Sequence, residues 1–522
     1  MVKWISQRSS EPSLGVRIPP GVQIITMKFP KEIIEVSKKL KAANFQAFLV
    51  GGCVRDLFLK REPKDWDIAT DAKPEEIQAI FPDSVYENDF GTVAVKTSAL
   101  ADAPTAGVGA TIPDSLKIIE ITTFRLESSY SDKRHPDQVK FTTKVEEDLS
   151  RRDFTINAIA LDIDDPKNPL DPFNGLKDID NKKIKTVGDP QERFSEDALR
   201  LMRAVRFSIE LDFKIETKTL SAIKKNAPLL DSIARERIRD EFIKIINTPQ
   251  ASAGLKLLHQ TNLLQSILPE LLEGDKVSQN WHHIYDVFEH SLRSLEYSAQ
   301  KGYSLEVRLA SLLHDIGKPR TKSGKGEKST FYAHEIVGAK MASHALKNLH
   351  FSKKIIDKVY HLVRFHMFNY NVGEVSEAGV RRLIARVGLE HLDDLLKVRE
   401  ADRIGSGVPK AFPYKLRHLL YMIDKVRRDP ISPKTLKING DQLMKLLKLK
   451  PSPKVGMILH ALLDEVIEEP AKNNLEHLQE RAQELNQLKD SQLTELMEQS
   501  KKKQEEFETA VDEKIKGRHY VK

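Results

Sequence analysis

Residues 49–70 read "LVGGCVRDLFLKREPKDWDIAT" and carry two aspartates, Asp65 and Asp67, one residue apart among β-formers. On an extended strand, side chains two positions apart point to the same face. Like charges set side by side raise each other's free energy, so the pair asks for a neutralising partner. A divalent cation answers, since Mg2+ is usually held by one or two carboxylates plus substrate phosphates; a surface Asp-x-Asp with no metal is the plainer alternative. Upstream, a strand running into Gly51-Gly52 lets backbone amides approach an anion closely, because neither residue has a Cβ. Arg55 adds a planar donor for phosphate. Glu120, in the strand-like "KIIEITTFR", is the candidate third acid of a two-metal phosphoryl-transfer site.

Around this stretch, "AFLV", "DWDIAT", "GTVAVKTS" and "LKIIEITTF" read as strands, with a helical "PEEIQAIF" after the second. The turn-rich "ALADAPTAGVGATIPDS" between the last two reads as an exposed insertion. From about residue 190 the periodicity is helical almost throughout. A small α/β head and a long all-α body follow. At 522 residues the chain needs several cores. No apolar run reaches the roughly 18 residues of a membrane span, and the first 27 residues lack the apolar core of a secretory signal. The single cysteine, Cys53, cannot form an internal disulfide, which fits a reducing cytoplasm; its thiol is expected to be packed. A net charge of +7 leans toward a polyanionic partner.

The motifs together resemble the class II tRNA CCA-adding and bacterial poly(A) polymerase family, over roughly residues 28–487. "VGGCVRDLFLKREPKDWDIAT" matches its metal and triphosphate motif. "RRDFTINAIALD" matches the next, where the resemblance implies that Arg152 and Asp153 hold the nucleotide and its ribose. "DPFNGLKDI" matches the hinge between head and neck, "EDALRLMRAVRF" the nucleotide-selecting motif, and "ARERIRDEF" the helix that braces it. The implied fold is an α/β nucleotidyltransferase head, a small mixed sheet with helices, followed by an elongated all-α body containing an HD domain. The expected segments are an N-terminal extension 1–27, head 28–180, neck 181–275, HD domain 276–410, tRNA-binding tail 411–487 and charged extension 488–522. The implied substrates are the tRNA 3′ end, CTP and ATP, with Mg2+ at Asp65 and Asp67 and neither membrane nor DNA as partner.

The selecting motif also makes chemical sense. With Ser195 as a plausible N-cap, Asp197, Arg200, Arg203 and Arg206 recur every third residue and form one helical stripe. Cytosine and adenine each present an amine donor beside an unprotonated ring nitrogen. A carboxylate accepts from the amine while a guanidinium donates to the nitrogen; uracil and guanine present the reverse order and mispair with Asp197 and Arg200. Buried polar groups left unmatched make such rejection strong. A solvated salt-bridge ladder is the alternative for these residues alone. The segment "RLESSYSDKRHPDQVKFTTKVEEDLSRR" resembles the flexible loop of enzymes that complete the whole CCA end, and the arginine-rich signature of poly(A) polymerases is not evident. CCA addition is therefore favoured, with A-adding and poly(A) polymerase readings open beside it.

Farther along, His290, the pair His314-Asp315 in "LLHDIGK", and Asp402 follow the order of HD-domain phosphohydrolases. Imidazoles and carboxylates from different helices can hold a divalent transition metal that activates water. His334 and His366 stand where some such proteins add ligands for a second metal. A chain that is mainly an HD hydrolase, or a tRNA-binding module without turnover, stays as an alternative. Trp281, His282 and His283 are expected in a helix entry, and "PKTLKINGDQLMKLLKL" in a tail helix opened by its Asn-Gly-Asp.

Overall fold

The computed structural model describes residues 27–88, 91–97, 114–128, 138–279, 284–324, 328–367, 380, 383–384, 387–407, 414–427, 436–488 and 492–495. Residues 1–26, most of the insertion after residue 97, residues 129–137 of the loop, Trp281 to His283, and most of the chain after 488 lie outside them. The chain divides into two compact units, Met1–Val363 and Arg364–Lys522.

The first unit opens with α1 (Lys31–Ala42), whose buried Ile33, Val36, Ser37 and Leu40 recur at helical spacing. Next come β1 (Phe48–Val50), α2 (Gly52–Phe58), β2 (Asp67–Thr70), α3 (Pro74–Ile80), β3 (Ser84–Asn88) and β4 (Thr92–Lys96). A one-turn α4 (Asp114–Lys117) leads into β5 (Ile118–Thr123), and β6 (Arg125–Ser128) pairs with β7 (Gln138–Phe141) as a separate ribbon. After α5 (Val145–Ser150) and a 3-10 turn at Thr155–Asn157, β8 (Ala160–Leu161) closes a six-stranded sheet of order β3-β4-β5-β2-β1-β8. The β2/β5 pair is parallel and its neighbours are antiparallel, so the head sheet is mixed, as expected. One face is dry, with Ile119, Ile121, Val93 and Val95 buried and α3 against β3 to β5. The other is open at Ile118 and Glu120. Because paired residues share a face, Glu120, in register with Asp67, puts that aspartate on the open side.

The "DPFNGLKDI" segment is a turn in which Asp171 accepts from the amides of Gly175 and Leu176, at 2.6 and 2.9 Å, and so starts α6 (Gly175–Asp180). A short parallel pair, β9 (Lys183–Ile184) with β10 (Lys214–Ile215), brackets α7 (Pro190–Glu196) and α8 (Leu199–Leu211). Then α9 (Thr217–Asn226), α10 (Arg235–Ile246) and α11 (Ala251–Gln260) pack as helices. Further helices cover Val287–Gln300, Leu305–Leu313, His334–Asn348 and Lys353–Phe365. Buried Arg308 joins this part to the neck. It donates to the carbonyls of Ile246 and Thr248, at the end of α10, at 2.9 and 3.3 Å, and to those of Tyr303 and Ala299 at 2.8 and 3.4 Å.

The second unit is helical where described, including Leu389–Gly405, Tyr414–Arg427, Gly440–Leu447, Pro453–Glu468 and Leu475–Asn486. Asn439 caps Gly440–Leu447 through a reciprocal box with Gln442, as the Asn-Gly-Asp start suggests. Ile438, Leu443, Ile458, Leu462, Leu478 and Leu485 form its core. No helix among the described residues is long and apolar enough to cross a membrane.

Candidate active site

A cleft of about 980 Å3 in the first unit is lined by Gly51, Gly52, Arg55, Asp65 and Asp67 from the head. Arg152, Asp153, Asp197, Arg200, Arg203, Arg206 and Arg237 also line it. All the nucleotide-site residues expected from sequence except Glu120 therefore meet there; Glu120 stands beside Asp67 on the sheet but does not line the cleft.

Gly51 sits at φ +76°, the left-handed region, where a side chain is strained. A Cβ there would come 3.0 Å from Arg152 Nη1 and 3.4 Å from Asp67 Oδ2, so the glycine lets the loop backbone lie directly against both groups. Asp65 departs from the expectation, because β2 begins at Asp67 and Asp65 lies in the bend before it. The reason is local: β1 ends at Val50 as Gly51 turns away, leaving residues ahead of Asp67 without that partner. The two carboxylates still share a side, since Trp66 turns inward and is buried while Asp65 and Asp67 line the cleft. Burial pushes the Asp67 carboxyl above the usual carboxylate range against the pull of Arg152, and the charge of Asp65 adds to the rise. A divalent cation would relieve that repulsion, so the donor set fits Mg2+.

The selecting motif is built differently from a single stripe. Ser195 lies inside α7 and donates to the Gln191 carbonyl at 2.8 Å, so it is not an N-cap. Asp197 occupies the extended junction after α7, at φ −138°, and α8 starts only at Leu199. Asp197 serves as the local cap, accepting from the Leu199 amide at 3.0 Å. Arg237 of α10 grips both its oxygens, at 2.9 and 3.3 Å, which gives "ARERIRDEF" a concrete bracing contact. Arg200 is fixed by Glu196 at 2.6 Å and by the carbonyls of Arg193 and Arg151, each at 3.1 Å.

Behind these lies a connected polar layer. Arg55 donates to Asn157 at 2.9 Å, Asn157 donates to Asp153 at 3.1 Å, and Arg203 donates to Asp153 at 2.7 Å. Burial would raise the Asp153 carboxyl, but Arg203 and the Asn157 amide outweigh it and bring it down to about 2. Arg206 pairs with Glu241 at 2.6 Å and with Glu210 at 3.0 Å. Arg152 pairs with buried Asp148 at 3.1 Å. Sequence reasoning missed Asn157, Glu196, Asp148, Glu241 and the particular role of Arg237; only for Glu196 and Asp148 was there a local signal, an acid four residues before an arginine. Cys53 is buried as expected, its thiol donating to the Val50 carbonyl at 3.1 Å and pushed by burial up to about 12.

A second cluster lies among the later helices of the same unit. His290 comes from Val287–Gln300, His314 and Asp315 follow Leu305–Leu313, and His334 opens His334–Asn348. His290 Nε2 and His314 Nε2 are 2.9 Å apart, and Asp315 Oδ2 is 3.1 and 3.2 Å from them. His334 Nε2 is 3.4 Å from Asp315 Oδ1. Two ligands at right angles around a metal at about 2.1 Å are separated by about 3 Å, so these three atoms fit one divalent ion. Gly317 allows the packing: a Cβ there would meet the His334 carbonyl at 2.3 Å. Burial opposes ionisation of Asp315, yet His314 and Lys318 hold its carboxyl well below the usual range. His366 and Asp402 belong to the second unit, both buried, with Asp402 paired to Arg399 at 2.6 Å.

Comparison with known proteins agrees with this organisation. A model of the poly A polymerase head domain matches residues 47–185, one of the probable RNA and SrmB-binding site of polymerase A matches 212–274, and one of the HD domain matches 287–405. A CCA-adding enzyme of Streptococcus thermophilus (strain CNRZ 1066) is 31% identical over 88% of this chain and 98% of its own. The chain belongs to the CCA-adding enzyme family. Another family member, from Enterococcus faecalis (strain ATCC 700802 / V583), is 33% identical over 86% of this chain and 94% of its own. The match to the Limosilactobacillus reuteri (strain DSM 20016) enzyme is higher, at 48%, but spans about half of that relative, 53%. Among solved structures, the Bacillus stearothermophilus CCA-adding enzyme in complex with CTP is 29% identical. It covers 88% of this chain and 98% of its own, at a TM-score of 0.53.

Proposed function

We propose that the chain is a tRNA nucleotidyltransferase that builds the 3′-terminal CCA from CTP and ATP, with protein side chains as the template. The observation that carries this reading is one cleft holding the Asp65/Asp67 pair, the Gly51-Gly52 loop and the Asp197/Arg200 pair. Mg2+ held by Asp65 and Asp67 would supply charge neutralisation at the α-phosphate and activation of the attacking hydroxyl. The Gly51-Gly52 backbone lies close enough to meet the triphosphate, and Arg55 and Arg152 offer planar donors to its oxygens. Asp153, beside the ribose in this reading, holds Arg203 in the cleft. Asp197 accepts from the exocyclic amine of cytosine or adenine while Arg200 donates to the ring nitrogen. Arg237 and Glu196 keep that pair from swinging away, so its orientation is set before the nucleotide arrives. The tRNA is gripped through phosphates and shape, as expected for an RNA helix. A cytoplasmic setting suits the single, buried Cys53.

Purified protein given Mg2+, labelled CTP and ATP, and tRNA lacking its last three nucleotides is expected to incorporate C, C and then A. Incorporation of ATP alone would shift the reading to an A-adding or polyadenylating enzyme, and no incorporation would overturn it. A second reading concerns His290, His314 and Asp315, whose spacing favours a divalent transition metal and phosphoester hydrolysis. His314→Ala is expected to weaken Mn2+ or Ni2+ binding at least about tenfold by calorimetry, as losing a ligand should. Unchanged binding would remove that reading.

A further inference from the structure

Phe207 follows the three arginines of α8 and is 4% exposed, its ring on the wall of the cleft. Three guanidinium carbons stand over that ring: Arg206 at 4.2 Å from the centroid, and Arg55 and Arg203 each at 5.2 Å. Arg203 lies one helical turn before Phe207 on α8, whereas Arg55 comes from α2 in the head. The ring is itself held edge-on against Phe154, with centroids 5.8 Å apart and planes at 85°.

Cations gathered this closely repel one another, and carboxylates set against each of them offset that repulsion. Arg55 has Asp56, Arg203 has Asp153, and Arg206 has Glu241 and Glu210. A ring face attracts a guanidinium without consuming its N–H donors. The donors not already held by these four carboxylates or by Asn157 are left for phosphate oxygens, where a fifth carboxylate would compete with them. The ring also spares three flexible side chains part of the ordering cost of binding.

We propose that Phe207 is a positioning residue that holds Arg55, Arg203 and Arg206 together as a prearranged receptor for the triphosphate. The inference rests on the nucleotidyltransferase reading above. Phe207→Leu keeps an apolar side chain but removes the ring, and Phe207→Tyr keeps the ring. Phe207→Leu is expected to raise the KM for CTP roughly tenfold, with kcat within about threefold, and to weaken inhibition by inorganic tripolyphosphate by the same factor. Phe207→Tyr is expected to restore both, and tRNA affinity should not move in either variant.

Tripolyphosphate inhibition at the parent level in Phe207→Leu would overturn the proposal. So would a Phe207→Tyr that behaves like Phe207→Leu, or a joint loss of tRNA affinity and thermal midpoint that marks collapse of α8. A parent protein that neither extends tRNA nor responds to tripolyphosphate would overturn the functional reading and this proposal together, which separates the two failures.

Discussion

Asp67→Asn is expected to slow single-turnover incorporation of CTP by at least about 10³-fold, the scale of losing a preorganised charge partner at a phosphoryl-transfer centre. The cleft should survive the change. Burial and the neighbouring Asp65 charge hold the Asp67 carboxyl above its ordinary range, so its ionised form destabilises the fold near neutral pH. An uncharged amide of the same shape removes that repulsion. Stability in urea at pH 7 is therefore expected to stay level or rise while activity disappears. A variant that keeps the parent rate would refute the metal-gripping role, and one that loses rate and stability together would point to damage of the sheet.

Asp197→Ala is expected to lower the ratio of CTP to UTP incorporation at least about 100-fold, because discrimination in the proposed function depends on a partly buried acceptor that the wrong base cannot satisfy. The change also removes the cap on the Leu199 amide and leaves Arg237 without its carboxylate, so a stability loss of about 1 kcal/mol should accompany it. Arg237→Lys retains the charge but breaks the two-oxygen grip, and a smaller loss of selectivity in the same direction is expected. Parallel measurements with CTP, UTP, ATP and GTP decide the matter. An unaltered ratio in Asp197→Ala would show that choice is made elsewhere.

The parts legible in the sequence were those governed by short-range periodicity. Alternation around Trp66 put Asp65 and Asp67 on one side, and the four strand-like runs marked a small α/β head, whose mixed sheet was implied by the family resemblance. The start of β2 was not legible, because strand length is set by the partner that stops at Val50. Three-residue spacing also ran through Asp197 as though one helix continued, yet Asp197 turns its carboxylate onto the Leu199 amide and breaks the chain direction there. A polar side chain competing with its own backbone is a local event that spacing cannot register. Partners such as Asn157 for Arg55, or Glu241 for Arg206, were hidden for a different reason. They sit 102 and 35 residues away, and only packing brings them together.

Buried Arg308 links two regions that the sequence would assign to separate modules. Its guanidinium closes off carbonyls at the tail of α10, the helix from which Arg237 reaches the cleft and Glu241 holds Arg206. A shortened chain ending near residue 275 would open that helix end to water and let it fray back toward Arg237 and its partner Asp197. Under the proposed function, trimming the chain there is expected to blur the choice of base before it abolishes incorporation.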